Sequence, residues 1–479
     1  MGGLTGRSAT GMRRYLAAMA VVLVAALPAG GGSPAAHAAD AGVGADWLTF
    51  GDSPQRDGEN PAETVISPAN AGALHQIWSH DLGAGVDNSP VEAAGVRVGS
   101  GSQNLVLVGG EHGIFVAFNA NTGATVWART LGAATSACLQ EPDGIYGITG
   151  TAVVDRATNR VFVADGTGAV YALNLSTGQT VPGWPLALPV APSREHVWGA
   201  LALVSGHLYV PVGGLCDTAP YHGRLAEIDA ATATITADFV VNGINGPSGG
   251  AIWGWGGEAV DPSTGDVYIA TGNAIGAPQN AGLSEAVIRL SSSLAVQAFN
   301  KPPLGAGSDL DFGSTPVLFQ APGCPPQLVV EDKNGALYLY DRSSIGAGPV
   351  QRIQLTDSTL IGVAAWSRRQ HLLFAANPAG SSNFSRGMVA FSDPSPSCTL
   401  VTAWNARVPD DGVPSPPIVA NGVVYYGAGN VEYALNAATG AVLWTSGSTI
   451  TAPIHGAAVV VNGVLYVPSW DHDLHAFAP

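Results

Sequence analysis

Three short segments combine residue types that together could support chemistry on a small molecule. Residues 253–262 read Trp-Gly-Trp-Gly-Gly-Glu-Ala-Val-Asp-Pro and lead to Thr-Gly-Asn at 271–273, residues 309–317 begin with Asp-Leu-Asp, and residues 332–338 begin with Asp-Lys-Asn-Gly. An indole offers a flat face to a planar ring, an amide oxygen suits a hard cation, and a carboxylate can remove a proton from a hydroxyl. These groups can act together only if the fold brings the segments to one place.

Other chemical motifs are weaker or absent from the sequence. Residues 471–475 read Asp-His-Asp-Leu-His and could bind a metal ion, but strand alternation near the terminus is the favoured explanation. The glycine pairs at 109–110 and 213–214 precede no helical pattern, so they do not predict phosphate-binding loops. The sequence contains neither the Gly-x-Ser-x-Gly motif of serine hydrolases nor the Cys-x-x-Cys-His motif that attaches c-type haem.

A repeated phrase indicates the elements that must position these segments. It consists of apolar or small residues, then Asn or Asp, further small residues and Thr-Gly, often followed by Trp. The copies start about 42–62 residues apart, at Ala117, Ala172, Glu227, Arg289, Leu339, Ala390, Ala434 and Ala476. Eight units at such a period predict a propeller of eight blades.

The local pattern around each phrase predicts strands. Alternating apolar runs such as 160–164 and 422–426 precede the phrases. The phrase itself predicts a strand and a turn, and its Trp falls on the outer strand, where it can pack between blades. The last copy ends the chain, whereas residues 47–50 and 76–78 precede the first full unit. We therefore predict an all-β, eight-bladed β-propeller whose ring is closed by an N-terminal strand that completes the last blade.

The N-terminal segment predicts export. An arginine pair precedes an apolar run at 16–28, and Ala-His-Ala at 36–38 fits a signal-peptidase site. Residues 1–38 are therefore predicted to be a signal peptide and residues 39–479 a single propeller domain, with the general and twin-arginine export routes both open. The apolar run is too short to span a membrane. The expected location is extracellular or at the cell envelope, without a membrane span.

Charge and cysteine content agree with this location. The formal net charge of −16 argues against nucleic acid and anionic membrane surfaces as partners. The four cysteines make an even number, which is typical of disulfides in an oxidising compartment. Four cysteines allow three pairings. We favour Cys138 with Cys216 and Cys324 with Cys398, because each pair would join neighbouring blades.

Taken together, the repeat and the three segments resemble the eight-bladed propellers of pyrroloquinoline-quinone (PQQ) dehydrogenases and their non-enzymatic relatives. The resemblance covers nearly the whole chain after residue 38. The repeat indicates the fold and says little about activity, because outer-membrane assembly scaffolds share it without any quinone. The resemblance implies a quinoprotein dehydrogenase that oxidises an alcohol or sugar hydroxyl with PQQ and Ca²⁺. The alternative is a cofactor-free extracellular propeller that binds protein or polysaccharide.

The resemblance also implies roles for individual residues. Trp255 matches the tryptophan on which the quinone ring stacks, and Asn273 matches a calcium ligand. Asp311 matches the catalytic aspartate and is also assigned to the metal site. Lys333 matches the basic residue that hydrogen-bonds the quinone oxygens. Electrons are expected to pass to a separate acceptor, such as a cytochrome or a dye-like quinone, because the chain carries no haem motif.

The sequence departs from the family pattern at two points, and a third position bears on the choice of metal. The family's glutamate ligand is missing, and the nearest carboxylate is Asp217, about one position out of register. The adjacent-cysteine disulfide that covers the quinone is also missing, and a bridge between Cys138 and Cys216 could substitute for it. Gly313 stands where the lanthanide-using branch of the family has an acid, so calcium is the expected metal.

Overall fold

The structure is a computed structural model that describes residues 44–141, 143–305, 307–409 and 412–479. The predicted signal peptide at 1–38 lies outside these residues, and the domain boundary after it stays a prediction. The described chain is almost entirely β-structure, with two short 3₁₀-helices at Ala71–Ala73 and Arg342–Ala347. In the part of the chain that the structure describes, no helix has the length and hydropathy needed to cross a bilayer.

Eight antiparallel sheets with four core strands each follow one another along the chain, which confirms the predicted eight-bladed β-propeller. The strands of blade 1 are Val91–Val98, Gly101–Gly109, Ile114–Asn119 and Thr125–Thr130, and those of blade 2 are Val153–Asp155, Arg160–Ala164, Ala169–Asn174 and Leu186–Ala187. The strands of blade 3 are Ala202–Val204, His207–Gly214, Arg224–Asp229 and Thr234–Val240. Those of blade 4 are Ala259–Val260, Val267–Ala270, Val287–Leu290 and Val296–Asn300.

Blades 5 to 7 repeat this order. Their strands are Val317–Phe319, Gln327–Asp332, Ala336–Asp341 and Gln351–Gln354; Ala365–Ser367, Leu372–Asn377, Gly387–Ser392 and Val401–Arg407; and Ile418–Ala420, Val423–Ala428, Val431–Asn436 and Val442–Thr445. Short additional strands lie at Glu59–Asn60, Ala134–Thr135, Ile145–Tyr146, Glu195–His196, Ser248–Gly249 and Ala274–Ile275.

Blade 8 is built from both ends of the described chain. Its first three strands are Val459–Val461, Val464–Pro468 and Asp473–Ala478, and its fourth is the N-terminal strand His75–Asp81. The N-terminal strand pairs antiparallel with Asp473–Ala478. The prediction that an N-terminal strand closes the ring is therefore confirmed.

The first strand of each blade lies on the inside of the ring. First strands such as Val317–Phe319 and Ile418–Ala420 are buried at every position. Fourth strands such as Thr125–Thr130 and Val296–Asn300 are mostly exposed or half-buried. Segments that precede a first strand therefore meet around the central channel.

Tryptophans of the outer strands join neighbouring blades, as the repeat predicts. The indole Nε1 of Trp127 in blade 1 donates to the carbonyl of Leu175 in blade 2 over 2.9 Å. Trp404 in blade 6 donates to Ala437 in blade 7 over 3.0 Å. A Cβ atom at Gly178, the glycine of the blade 2 Thr-Gly, would lie 2.6 Å from the indole of Trp127. The Thr-Gly turn therefore accommodates the tryptophan of the preceding blade.

Residues 47–60 form an unpredicted second closure, which we call the inner ring. This segment follows the inside of the propeller and hydrogen-bonds residues at or next to the first strand of each of the eight blades in turn. The pairs run from blade 1 to blade 8 as Trp47 with Glu92, Leu48 with Val154, Thr49 with Leu201, Pro54 with Val260, Gln55 with Leu318, Asp57 with Trp366, Gly58 with Val419 and Asn60 with Val460. A single extended segment therefore ties all eight blades together.

We expect Arg56→Met to lower the free energy of unfolding by roughly 3–5 kcal/mol. The fully buried guanidinium of Arg56 donates to the Glu258 and Leu201 carbonyls and lies 3.6 Å from the Glu258 carboxylate. Without it, Glu258 is a buried carboxylate that lacks a counter-charge. Urea unfolding measures the loss. Adding Glu258→Gln should recover part of it, and equal stability of the single and double variants would contradict the charge explanation.

Candidate functional site

A cavity of about 560 Å³ opens at one end of the central channel, and we call it the funnel. Its walls come mainly from segments that precede first strands and from loops between second and third strands. Four tryptophans line it, namely Trp198, Trp253, Trp255 and Trp470. Five carboxylates and one lysine also line it, namely Asp87, Glu141, Asp217, Asp309, Asp311 and Lys333.

The structure brings the five sequence-predicted site residues together. Trp255, Asp217, Asp311 and Lys333 line the funnel directly. The Nδ2 atom of Asn273 lies 3.5 Å from Oδ2 of Asp217, so Asn273 borders the same space. The five come from blades 3, 4 and 5, which are neighbours in the ring. Their chemical roles stay predictions.

Asp311 is a buried carboxylate with two directional partners. It is 3% exposed. The Nζ atom of Lys333 lies 2.6 Å from its Oδ1, and the indole Nε1 of Trp253 donates to its Oδ2 over 3.2 Å. Burial raises the pKa of Asp311, and the neighbouring Lys333 offsets only part of that rise. The group is therefore a stronger base than an exposed aspartate.

Lys333 is held as a cation. Its Nζ pairs with Asp309 at 2.7 Å as well as with Asp311, and it lies 4.8 Å from the centre of the Trp253 ring. Burial lowers the pKa of Lys333, but the two carboxylates outweigh burial and the pKa is raised. The funnel therefore presents one fixed positive charge beside the predicted base.

Two glycines allow the close packing around Asp311. A Cβ atom at Gly272 would lie 2.8 Å from Oδ2 of Asp311, and one at Gly313 would lie 2.7 Å from the Trp253 ring. Any larger side chain at 313 would displace Trp253 and its hydrogen bond to Asp311. An additional acid at this position would therefore require Trp253 to move, and the expectation of calcium rather than a lanthanide stays a prediction.

The oxygens near Asn273 form a donor set for a hard cation. Asn273 is 5% exposed, and its Oδ1 has no hydrogen-bond partner among the described residues. Asp217 accepts a 2.7 Å hydrogen bond from Tyr221, whose pKa is raised by burial and by that carboxylate. An amide oxygen together with the carboxylates of Asp217 and Asp311 matches the ligands that Ca²⁺ prefers. The residues present therefore fit a calcium ion.

The floor of the funnel is aromatic. Trp255 of blade 4 extends toward the opposite blade, where its ring lies 6.2 Å from that of His455, with 29° between the planes. Beneath it, a Cβ atom at Gly256 would lie 3.1 Å from the ring of Phe50, a residue of the inner ring. The floor can therefore stack against a planar ring.

Sequence reasoning missed a second group of acidic residues, Asp87, Glu111 and Glu141, which we call the acid wall. Asp87 and Glu141 line the funnel, and Glu111 lies next to them. All three are buried, with at most 4% of the residue exposed. One carboxylate oxygen from each lies within 4.8 Å of one from each of the others. The three come from different segments and share no motif. The sequence signal that could have found them is an acid next to apolar or glycine residues, as in Val86-Asp87 and Gly110-Glu111.

The pKa values of the three acid-wall carboxyl groups are shifted by burial and by their neighbours. Burial and the Asp87 charge raise the pKa of Glu111 to about 8 and that of Glu141 to about 11. Burial also acts to raise the pKa of Asp87, but hydrogen bonds with His455, Glu141 and Trp470 outweigh it and the pKa is lowered. In the absence of a cation, the wall therefore holds protons at neutral pH.

Both predicted disulfides are present, Cys138–Cys216 and Cys324–Cys398. The first connects the two parts of the funnel. Cys138 lies three residues before Glu141 of the acid wall, and Cys216 directly precedes Asp217. This bridge therefore holds the Asp217 loop against the segment that carries Glu141.

The two disulfides provide a matched pair of variants. Their sequence separations are 78 and 74 residues, so their removal should lower stability by similar amounts, roughly 2–5 kcal/mol each. We expect only the double variant Cys138→Ser/Cys216→Ser to lose calcium affinity, because only it frees the Asp217 loop. Urea unfolding and calcium titration measure the two effects. Equal loss of calcium affinity in Cys324→Ser/Cys398→Ser would contradict this assignment.

Comparisons with known proteins agree with the fold. A family model described as outer membrane protein assembly factor BamB matches residues 64–233. A polyvinylalcohol dehydrogenase of Pseudomonas sp. is 25% identical over 277 residues, which are 49% of this chain and 41% of that protein. The match thus spans about two fifths of the relative's length.

Solved structures extend the likeness to nearly the whole described chain. The quinohemoprotein alcohol dehydrogenase of Comamonas testosteroni has a TM-score of 0.67 at 15% identity, with 90% of this chain and 80% of that chain covered. BamB of Moraxella catarrhalis has a TM-score of 0.57 at 15% identity, with 85% and 100% covered. At this identity the structures show a shared fold alone. The chain is therefore an eight-bladed β-propeller that shares its fold with these proteins.

Proposed function

We propose that the protein is an exported quinoprotein dehydrogenase that oxidises an alcohol or sugar hydroxyl with PQQ and Ca²⁺. The observation that supports this proposal is the convergence of a buried base, a fixed cation and a calcium donor set above an aromatic floor. Asp311, Lys333 and Asn273 supply the first three features, and Trp255 supplies the floor. The funnel volume of about 560 Å³ also lies in the range usual for cofactor sites.

The residues fit the cofactor at its quinone end. Asn273 Oδ1, Asp217 and Asp311 would hold the calcium ion, and Lys333 would bind the quinone oxygens. When bound, the quinone and its calcium ion supply the electron-pair acceptor for the oxidation, with the cation acting as a Lewis acid. The chain itself supplies binding, orientation and proton transfer.

Asp311 is the general base of the proposed reaction. Its carboxylate accepts the proton of the substrate hydroxyl as the electrons leave the carbinol carbon. Trp253 Nε1 fixes the orientation of Oδ2, and Lys333 favours the ionised carboxylate by offsetting part of the rise in pKa that burial causes. Trp253 is thus a positioning residue, because it acts through Asp311.

The substrate is proposed by chemical class. The name of the Pseudomonas relative makes polyvinyl alcohol, a polymer of secondary alcohols, the first compound to test. Small alcohols and sugars follow. Electrons would pass to a separate acceptor such as a cytochrome or a dye-like quinone. The two disulfides agree with the oxidising compartment to which a signal peptide at residues 1–38 would direct the protein.

One observation favours the alternative of a cofactor-free scaffold. The acid wall places two carboxylates, Asp87 and Glu141, in the funnel and a third, Glu111, beside them, where a cofactor that itself carries three carboxylates must be accommodated. Like charges at this distance repel each other unless protons or a cation neutralise them. A scaffold that binds protein or polysaccharide would not face this repulsion.

Reconstitution separates the two functions. We expect purified protein incubated with PQQ and CaCl₂ to acquire quinone absorbance and to reduce an artificial dye when an alcohol or polyvinyl alcohol is added. Omitting either PQQ or Ca²⁺ should abolish dye reduction. Absence of a bound quinone signal, together with no dye reduction for any alcohol or sugar, would refute the dehydrogenase proposal and favour the scaffold.

A further inference from the structure

We propose that the acid wall is a second divalent-cation site, in which Asp87, Glu111 and Glu141 bind Ca²⁺ at the wall of the funnel. This site shares no residue with the predicted calcium site at Asn273, Asp217 and Asp311. It is formed by Glu111 of blade 1 and by the segments that precede and follow that blade, whereas the predicted site is formed by blades 3 to 5. The inference depends on the acid wall itself and stands whether or not the protein binds PQQ.

The spacing of the carboxylates suits one calcium ion. Oxygens that bind the same Ca²⁺ at 2.3–2.6 Å can be at most about 5 Å apart. The three acid-wall oxygens lie within 4.8 Å of one another. The three carboxylates are therefore close enough together to bind one ion.

Glu111 provides the observation that points to a ligand. It is 2% exposed, and its Oε2 accepts hydrogen bonds from the Gly147 amide and the Thr149 hydroxyl. Its Oε1 is buried without any hydrogen-bond partner among the described residues. A buried carboxylate oxygen without a donor is costly. Because Oε2 is already satisfied by the backbone and Thr149, Oε1 is the oxygen that remains for a cation.

The surroundings hold the other two ligands without neutralising them. Trp470 Nε1 and His455 Nδ1 contact Oδ1 of Asp87, over 2.6 and 3.2 Å. Asp87 and Glu141 lie within hydrogen-bonding distance of each other. Among the described residues, no Lys or Arg forms an ion pair with Asp87, Glu111 or Glu141. Three converging carboxylates therefore lack a permanent counter-charge, which a divalent cation would supply.

A cation here would change what the funnel can bind. It would offset two of the three carboxylate charges, and its remaining coordination positions could accept oxygens of an anionic group. The acidic half of the funnel would then accept an anionic cofactor or an anionic group of a substrate. A cation at this site would therefore reduce the repulsion between the acid wall and an anionic cofactor, which otherwise favours the scaffold function.

Calcium stoichiometry tests the site. We would strip the purified protein with EDTA, remove the chelator and titrate CaCl₂ by isothermal titration calorimetry. Wild type should bind two ions per chain. Glu111→Gln and Glu141→Gln should each abolish binding of the acid-wall ion or lower its affinity at least tenfold. Asn273→Ala should abolish binding of the ion at the predicted calcium site. The matched control is Glu331→Gln, since Glu331 is a fully buried carboxylate outside both clusters, and it should still bind two ions.

The outcomes separate this inference from the proposed function. If wild type binds one ion that is lost in Glu111→Gln and kept in Asn273→Ala, the acid-wall site stands and the predicted calcium site fails. If Glu111→Gln and Glu141→Gln bind as many ions as wild type, the acid-wall site is overturned. Circular dichroism in EDTA verifies that each variant folds. Should both glutamine variants fail to fold, terbium luminescence sensitised by Trp470 replaces them, and unchanged emission in Trp470→Phe would overturn the site.

Discussion

Replacing Asp311 with Asn should lower the rate of alcohol-dependent dye reduction about 10²–10⁴-fold, the usual contribution of a general base. Asparagine keeps the size of the side chain and can still accept a hydrogen bond from Trp253. It cannot take the hydroxyl proton of the substrate. The substitution also removes a buried charge, so the fold should be retained, as thermal unfolding followed by circular dichroism would show.

The neighbouring acid provides the control for this variant. Asp309 also pairs with Lys333, at 2.7 Å, but its side chain is 58% exposed, and the Trp253 indole donates its hydrogen bond to Asp311. We expect Asp309→Asn to retain most of the dye-reduction rate. If Asp309→Asn loses as much activity as Asp311→Asn, the base has been assigned to the wrong carboxylate. Full activity of Asp311→Asn would refute the proposed mechanism.

The second large effect is expected from Lys333→Met, which should lower the rate about 10²–10³-fold, a loss comparable to that of an oxyanion-binding group. The variant removes the cation predicted to bind the quinone oxygens. It also removes the charge that lowers the pKa of Asp311. In the variant, burial still raises the pKa of Asp311, and the Lys333 charge no longer lowers it. A smaller fraction of Asp311 is ionised at a given pH, and the acidic limb of the rate profile moves to higher pH.

Lys301 is the matched control, because the chain contains only two lysines. Its Nζ contacts the Asn280 and Gly282 carbonyls, and it does not line the funnel. Lys301→Met should leave both the rate and the pH profile unchanged. A rate profile of Lys333→Met that keeps its acidic limb at the wild-type pH would show that Lys333 does not control the ionisation of Asp311.

The fold could be predicted from the sequence because the residues that form each blade's turn lie close together in the chain and recur in every blade. The Asn and Thr-Gly of each phrase form the turn, as where Asn119 accepts hydrogen bonds from the amides of Asn121 and Thr122. The same Thr-Gly also receives the tryptophan of the preceding blade. Since these contacts recur at a regular period, counting the copies predicts the number of blades and the residues between them.

The sequence also predicted one half of the funnel. Trp255, Asn273, Asp311 and Lys333 lie in segments that resemble family motifs, and each segment borders a strand of known direction. Once the ring is assumed, such segments must meet at the same end of the channel. The two disulfides were predicted for a similar reason, because neighbouring blades place their loops close together.

The acid wall and the inner ring were decided only by the tertiary structure. The shifted pKa values of Asp87, Glu111 and Glu141 result from their burial and from their closeness to one another. Both arise only when the blades close into a ring. Likewise, residues 47–60 have no strong strand pattern of their own, and they are ordered by hydrogen bonds to eight separate blades. The sequence by itself therefore determined the repeating architecture and its motif-bearing site. Closure of the ring determined the electrostatics of the funnel, because charges far apart along the chain interact only after water has been excluded between them.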